Sequence, residues 1–534
     1  MRILCPRATE KRCLLSFFSS GFQRVHRETG QTRRKSGETR VEGFMAMVSR
    51  LLSTRARERP DSPAFLSGAD ERVLTWREVA AHAERWRHEI PPGSRVGLVI
   101  ADPLLFTMAY LGCLSAGATA APVDPRLTEA ELAGALARLR IDVLATDRDD
   151  PTVHSGLNTV LADFAGPRRI RSANTPHRTG ASHPAVLLTS SGTTGAPKGI
   201  PLTEWQLLHA AERVARHHRF GPGERGYTPL PLFHVNAQVM GLLATVVSGA
   251  ELVIDRRFEA GEYWARVERH RPTWLNAVPA ILASLARCPA PPTRVVDRIR
   301  FARSASAPLP RETARAFTAR TGLGVLETYG MSEAAGQLTA NPLDPARRRD
   351  GSVGLPVDVD LIVAGSDGRE TAPGEEGDVL LRGPEIVREY VELDGPERSR
   401  PARAADGWLR TGDIGVRDEA GFLYLAGRVD DVINRGGEKV YPQEVENVLL
   451  AHPGVAAAAV VGAPHERLGQ VPVAFVTTES RDAERLQASL LAWCAQRLTR
   501  YKRPVVVEVI DALPVGPTGK VLRRALRPEP AGRP

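Results

Sequence analysis

The chain has 534 residues and a formal net charge of +9, with 42% hydrophobic and 25% charged residues. This is the composition of an ordinary soluble protein of about three or four folding units, and no apolar run approaches the roughly 20 residues of a bilayer-spanning helix. Ten Lys/Arg against four Asp/Glu place +6 of that +9 in residues 1–44, so the basic excess is not clustered on a folded face as nucleic-acid binding requires.

The five cysteines (Cys5, Cys13, Cys113, Cys288 and Cys494) are odd in number and far apart. They form neither a Cys-x2-Cys metal pattern nor a disulfide framework, and they fit a reducing compartment, the cytoplasm. Residues 1–44 are rich in Arg and Ser, poor in acids and without a hydrophobic period. They read as a disordered extension, either an organelle transit segment or a stretch upstream of a start at Met45 or Met47. Met45 to Ala64 reads as a helix and a polar turn. A buried strand over 95–100, a helix from Pro103 to Ser115 and a strand near Ala118–Val123 make a βαβ unit. The alternation continues with strands at Ile141–Thr146 and Ala185–Thr189, a helix Glu204–His217 and a strand Leu252–Ile254. After about Ser352, short runs at Asp360–Val363, Gly377–Leu381 and Phe422–Ala426 read as antiparallel strands.

A smaller unit begins near Gly427. Pro442 opens a helix with Glu444 and Glu446 near its positive end, and Val445, Val448 and Leu449 give it an apolar stripe. His452-Pro453-Gly454 stops it. The expected fold class is α/β: a large domain (45–426) of parallel-sheet α/β subdomains plus a β-rich subdomain, with a small mobile α+β C-terminal domain (427–534).

Residues Thr189, Ser190, Ser191, Gly192, Thr193, Thr194, Gly195, Ala196, Pro197, Lys198 and Gly199 follow an apolar strand. Glycines allow sharp turns that aim backbone N–H groups at an anion, while the hydroxyls add donors and Lys198 a charge. That is chemistry suited to a polyphosphate, yet the Gly-x4-Gly-Lys-Ser/Thr spacing of a Walker A loop is missing. Four further segments accompany it. Glu327-Thr-Tyr-Gly-Met-Ser-Glu333 sets an aromatic, a hydroxyl and a carboxylate close together, a set able to stack a base, touch a phosphate and hold Mg²⁺. Trp408-Leu-Arg-Thr-Gly-Asp413 places a carboxylate after a turn, suited to two ribose hydroxyls. Gly427-Arg-Val-Asp-Asp431 presents Arg428, and Pro517-Thr-Gly-Lys520 presents a lysine.

In this order, from about Met45 to Arg524, the motifs resemble the adenylate-forming superfamily of acyl-CoA synthetases, peptide-synthetase adenylation domains and beetle luciferases. The resemblance implies that the Thr189–Lys198 loop holds the β- and γ-phosphates of ATP. It also implies that Tyr329 lies against adenine, Ser332 contacts the α-phosphate and Glu333 holds Mg²⁺. Ser306 and Ala307, in the Ser304–Pro308 segment, would lie beside the adenine and acyl group, and Asp413 and Arg428 would bind the ribose. Lys520 would bridge the carboxylate and the α-phosphate. Asp430 would be the hinge, and Gly436, Gly437 and Lys439 would face CoA, with Lys439 or Lys502 as partners for its phosphates. The implied reaction forms an acyl-adenylate and pyrophosphate, after which CoA displaces AMP. Transfer to a carrier-protein thiol is the alternative, with that carrier a separate protein.

The acyl pocket is less defined. Pro231-Leu-Phe-His-Val-Asn236 resembles the segment bordering it, with His234 a gate, a substrate contact or a packed histidine. Arg303, just before the Ser304–Pro308 segment, either pairs with a second carboxylate or is an ordinary strand-end arginine. Arg303-Ser-Ala-Ser306, Thr339-Ala-Asn-Pro342, Gly351-Ser-Val-Gly354 and Asn434 to Lys439 look similar to a branch that includes plant-type oxalate–CoA ligases. That branch tends to carry a histidine where this chain has Ala335 and Gly336, which argues against oxalate. Gly336 would instead make room for a longer chain, so a medium-chain or aromatic monocarboxylate is expected.

Overall fold

The computed structural model describes residues 46–149, 157–172, 183–191, 197–395, 398–478, 482–516 and 521–526. Within them, the expected strand–helix–strand unit runs Arg95–Val99, Pro103–Ser115, Thr119–Pro122, and its strands pair in parallel with Arg95 opposite Thr119. The Asp102 side chain accepts from the Leu104 and Leu105 amides, and Pro103 occupies the first turn where its missing N–H costs nothing. All thirteen residues of this helix are buried. A helix apolar on every side has no solvent face to keep, and it lies within the main hydrophobic core.

Two nine-stranded sheets dominate the described residues. One has Arg95–Val99 and Thr119–Pro122 at its centre, flanked by Val143–Thr146 on one side and Val186–Ser191 on the other. The second carries Arg225–Thr228, Trp274–Ala277, Ala302–Ser304 and Val325–Met331 as parallel neighbours. Both depart from parallel order where the chain turns back sharply. Pro197–Leu202 returns antiparallel to Val186–Ser191, and Gly336–Ala340 returns antiparallel to Val325–Met331. Only a long crossover can deliver a parallel neighbour, and both connections are too short for one. Within the segment read as a loop from Thr189 to Lys198, Thr189–Ser191 and Pro197–Lys198 are therefore paired antiparallel strands, and residues 192–196 lie outside the described residues.

The β-rich part is a four-stranded antiparallel sheet of Asp360–Ala364, Glu376–Arg382, Leu409–Arg417 and Leu423–Arg428. A 3-10 turn, Val429–Asp431, leads from it into a five-stranded sheet. That sheet shares its own core with the helices Pro442–Leu450 and Ala483–Arg497, built from Val445, Leu449, Val460, Val476, Leu490 and Cys494. Separate cores mark separately packed units. Across them, the Tyr441 hydroxyl donates to the Glu376 carboxylate.

Candidate active site

Strand Val325–Met331 passes into a single 3-10 turn, Ser332–Ala334, that delivers Glu333. Ala335 and Gly336 then adopt positive φ values of 54° and 123°, reversing the chain into strand Gly336–Ala340. Glycine at 336 is thus required by its backbone angle. That angle is a reason for glycine here independent of the expected room for an acyl chain. A Cβ on Gly330 would stand 2.1 Å from the Gly336 carbonyl oxygen. Gly330→Ala is accordingly expected to force these strands apart, lower stability by about 3 kcal/mol and displace Tyr329 and Glu333. Thermal unfolding together with an ATP-binding titration checks both effects; an alanine variant as stable as the parent would contradict the packing.

Glu333 is 7% exposed. Its Oε1 accepts from Lys198 Nζ at 2.9 Å and from the Tyr390 hydroxyl at 3.1 Å. Lys198 Nζ also lies 3.7 Å from the centre of the Tyr390 ring. The strands explain the convergence: Glu389–Glu392 pairs with the hairpin, with Glu392 opposite Lys198. Burial, reinforced by the Glu333 carboxylate, pushes the Tyr390 hydroxyl above its ordinary range. Among the described residues no group of three or more potential metal ligands occurs. A lone carboxylate of this kind suits Mg²⁺, which takes one or two carboxylates and completes its shell with phosphate oxygens and water.

A second group forms around Asp413. Tyr329 donates to Asp413 Oδ2 at 2.5 Å, and Arg428 Nη1 lies 3.3 Å from Oδ1. Arg428 Nη2 donates to the Thr411 carbonyl at 3.2 Å, and the Asp413 amide donates to Thr411 Oγ1 at 3.0 Å. Burial first, and then Asp413, raises the Tyr329 hydroxyl well above its usual range. Asp413 was expected just after a turn. It lies instead inside strand Leu409–Arg417, directly opposite Arg428, because a register shift against strand Glu376–Arg382, between Asp378 and Leu380, absorbs Thr411 and Gly412.

The third group lies on the acyl side. Ser306 is exposed and strained at φ 74°, and its hydroxyl accepts from Asn236 Nδ2 at 2.9 Å. Asn236 begins a π-helical stretch, Asn236–Leu243, a form found chiefly at functional sites. Arg303 donates to the Asn236 and Asn276 side-chain oxygens at 3.0 and 3.1 Å. Ala307 follows Ser306, and the Leu309 amide donates to the Glu327 carboxyl, which burial pushes up to about 8. His234, Thr189 and Ser332, from three separate motifs, line one cavity of about 290 Å³ with Phe233, Val123 and Leu393. His234 Nε2 is buried without a hydrogen-bond partner among the described residues. Desolvation drops its pKa to about 4 against the pull of Asp124, so the ring is neutral at physiological pH.

Gly436 and Gly437 form the turn between strands Ile433–Arg435 and Glu438–Val440, and Lys439 is exposed on the second of these. Lys502 instead pairs with Glu444 at 2.7 Å. Asp430 sits exposed in the 3-10 turn between the two units. Gly192, Thr193, Thr194, Gly195 and Lys520 lie outside the described residues, as do the side chains of Ser190 and Ser191. Sequence reading missed Tyr390, Thr411 and Asn276. Thr411 was within reach, two residues before Asp413 in a segment already singled out. No local motif announces the other two.

An ammonium and a carboxylate beside paired strands, an aromatic bonded to an acid, and a buried polar wall form a site suited to activating an acid with a nucleotide. Residues 52–391 match the family model described as AMP-binding enzyme, and residues 444–520 match the AMP-binding enzyme C-terminal domain. The chain is 36% identical to the sulfoacetate–CoA ligase of Cupriavidus necator, over 92% of this chain and 99% of that protein. It is 31% identical to the oxalate–CoA ligase of Arabidopsis thaliana, over 89% and 97% of the respective chains. ATP-bound MatB from Rhodopseudomonas palustris shares the fold with a TM-score of 0.79 and 27% identity, over 91% of this chain and 98% of that one. The chain belongs to the AMP-binding enzyme family. It is an adenylate-forming acid–CoA ligase that uses ATP, Mg²⁺ and CoA, and the carrier-protein alternative is not favoured.

Proposed function

We propose the following division of labour between its residues. The Thr189–Lys198 hairpin and its connecting glycines receive the β- and γ-phosphates of ATP, and Lys198 exchanges its bond to Glu333 for one to phosphate. Glu333 becomes a ligand of Mg²⁺, whose charge offsets that of the phosphates when it is bound. Tyr329 packs on adenine, and Asp413 accepts from the ribose hydroxyls while Arg428 holds it in place. Ser306 and Ala307 border the adenine and acyl group, and Ser332 contacts the α-phosphate.

The acid carboxylate attacks the α-phosphorus, forming a C–O–P bond as pyrophosphate leaves. Two anions must meet in this step, so positioning and charge neutralisation, with Lys520 bridging both, supply most of the rate enhancement. The CoA thiol, losing its proton, then attacks the acyl carbon and AMP departs. The small unit (427–534) turns on the large one (45–426) about Asp430. That motion withdraws Lys520 and brings Gly436, Gly437 and Lys439 to the CoA side. Residues 1–44 are a dispensable extension in this reading.

Lys198 meeting Glu333 at 2.9 Å, across 135 positions of sequence, is the observation that carries the nucleotide assignment. Among the described residues no helix is long and apolar enough to cross a membrane, and we place the enzyme in the cytoplasm. The decisive experiment is pyrophosphate release with ATP, Mg²⁺ and a panel of acids, with and without CoA. Sustained turnover only with CoA, with acyl-CoA seen by mass spectrometry, is the expected result. Accumulating acyl-adenylate that ignores CoA would overturn the second half-reaction.

A further inference from the structure

We propose that Tyr390 is a positioning residue with two separable parts. Its ring face keeps Lys198 in place as that lysine passes from Glu333 to the ATP phosphates, and its hydroxyl holds Glu333 for Mg²⁺ once Lys198 has left. The inference rests on the division of labour proposed above and adds to it a residue that belongs to none of the five motifs.

Tyr390 is 6% exposed and sits in strand Glu389–Glu392. That strand is paired on both edges, with Pro197–Leu202 on one side and Ser399–Pro401 on the other. The Tyr390 hydroxyl donates to Glu333 Oε1 at 3.1 Å. Lys198 Nζ donates to the same oxygen at 2.9 Å while standing 3.7 Å from the centre of the Tyr390 ring. One side chain therefore touches both members of the ion pair, through different parts of itself. Arg400, directly opposite Tyr390 on the neighbouring strand, places a second cation 4.8 Å from the same ring centre. Among the described residues no donor reaches Glu333 Oε2, which leaves that oxygen for a metal ion.

The two contacts do different work when ATP binds. Taking Lys198 away from Glu333 would leave a buried carboxylate without the ammonium that aims it. The Tyr390 hydroxyl stays, because paired strands on both sides fix its position, not Lys198. A neutral O–H donor also suits a carboxylate that must hold Mg²⁺: it orients the group without competing for its charge. The ring acts on the lysine instead. The negative face of an aromatic attracts an ammonium without fixing the direction of its N–H bonds. Lys198 can thus turn from carboxylate to phosphate without leaving the ring, and at 20% exposure it does so largely out of water.

The competing role is packing, since Tyr390 belongs to the main hydrophobic core. The test uses the full chain with Tyr390→Phe, which removes the hydroxyl alone, and Tyr390→Leu, which removes the ring as well. Mn²⁺ stands in for Mg²⁺, and its binding in the presence of a non-hydrolysable ATP analogue is read by electron paramagnetic resonance. Affinity for the analogue at saturating Mg²⁺ is read by calorimetry.

Tyr390→Phe is expected to weaken Mn²⁺ binding about 10-fold and to leave analogue affinity at saturating Mg²⁺ within a few-fold. Tyr390→Leu is expected to weaken analogue affinity about 10-fold as well, even at saturating Mg²⁺. A packing role predicts a lower Tm for Tyr390→Leu with both affinities unchanged. Parental Mn²⁺ affinity in Tyr390→Phe would overturn the role of the hydroxyl, and parental analogue affinity in Tyr390→Leu that of the ring. If the leucine variant folds poorly, Tyr390→Trp, which keeps a ring but not the hydroxyl, replaces it: retained analogue affinity with weakened Mn²⁺ binding supports the division, and loss of neither overturns it. These measurements contain no acid and no CoA, so pyrophosphate release and acyl-CoA formation by the parent bear on the ligase reading alone.

Discussion

Glu333→Gln is expected to slow acyl-adenylate formation about a thousandfold while leaving the fold intact. The amide has the shape of the carboxylate, and its oxygen can still accept from Lys198 and Tyr390, which hold Glu333 Oε1 at 2.9 and 3.1 Å. What disappears is the negative charge. That charge holds Lys198 in the structure and, in the proposed mechanism, would supply an oxygen ligand for Mg²⁺. Single-turnover formation of the adenylate across a Mg²⁺ titration separates these roles. A variant with the parent's rate and Mg²⁺ dependence would remove Glu333 from the chemistry. Its unfolding temperature serves as the control, since a large drop would point to lost packing instead.

Asp413→Ala carries the second largest effect, acting on nucleotide affinity and stability together. The substitution strips the acceptor from the Tyr329 hydroxyl and the counter-ion from Arg428. The Tyr329 hydroxyl then loses its acceptor and keeps only Thr411 beside it, a loss of about 1 kcal/mol. Arg428 adds little to that figure, because its side chain is 33% exposed and water can take over its charge. Under the proposed ribose role of Asp413, the KM for ATP is expected to rise at least about 100-fold, since two ribose hydroxyls would lose a charged acceptor. Asp413→Asn divides the two effects. Its side-chain oxygen can still accept from Tyr329, so stability should largely return while ATP affinity does not. Full recovery of ATP affinity in the asparagine variant would show that the charge at this position is unnecessary.

The two groups differ in how visible they are to a reader of the chain. Tyr329, Ser332 and Glu333 stand within five residues, so one short segment displays most of what it does. Asp413 and Arg428 come from separate motifs, each informative through its local residue types. Tyr390 belongs to no such segment. It reaches Glu333 only because strand Glu389–Glu392 adds to the edge of the glycine-rich hairpin. Asn276 is similar, a strand residue whose partner Arg303 is set beside it by parallel register.

Local structure followed the same divide. Helix Pro103–Ser115 was legible from end to end because Asp102, Pro103 and a mostly apolar run each act within a few residues. Helix Pro442–Leu450 was legible for the same reason. Asp413 was misplaced after a turn because a bulge, set by pairing with strand Glu376–Arg382, overrode the local preference of Thr-Gly-Asp. The backbone angle that calls for glycine at 336 was invisible in the sequence, because it exists only where the chain must reverse.

By itself, then, the sequence determined the α/β class, the order of the units and the kind of chemistry. Those properties depend on residue type, spacing and local periodicity, which act within one turn or one strand. Only the tertiary structure decided that Lys198 meets Glu333 over Tyr390, and that Arg303 lies buried with no carboxylate in ion-pair distance among the described residues. Ion pairing and desolvation depend on distance through space, and it is the pairing of strands far apart in the chain that brings such charges together or isolates them.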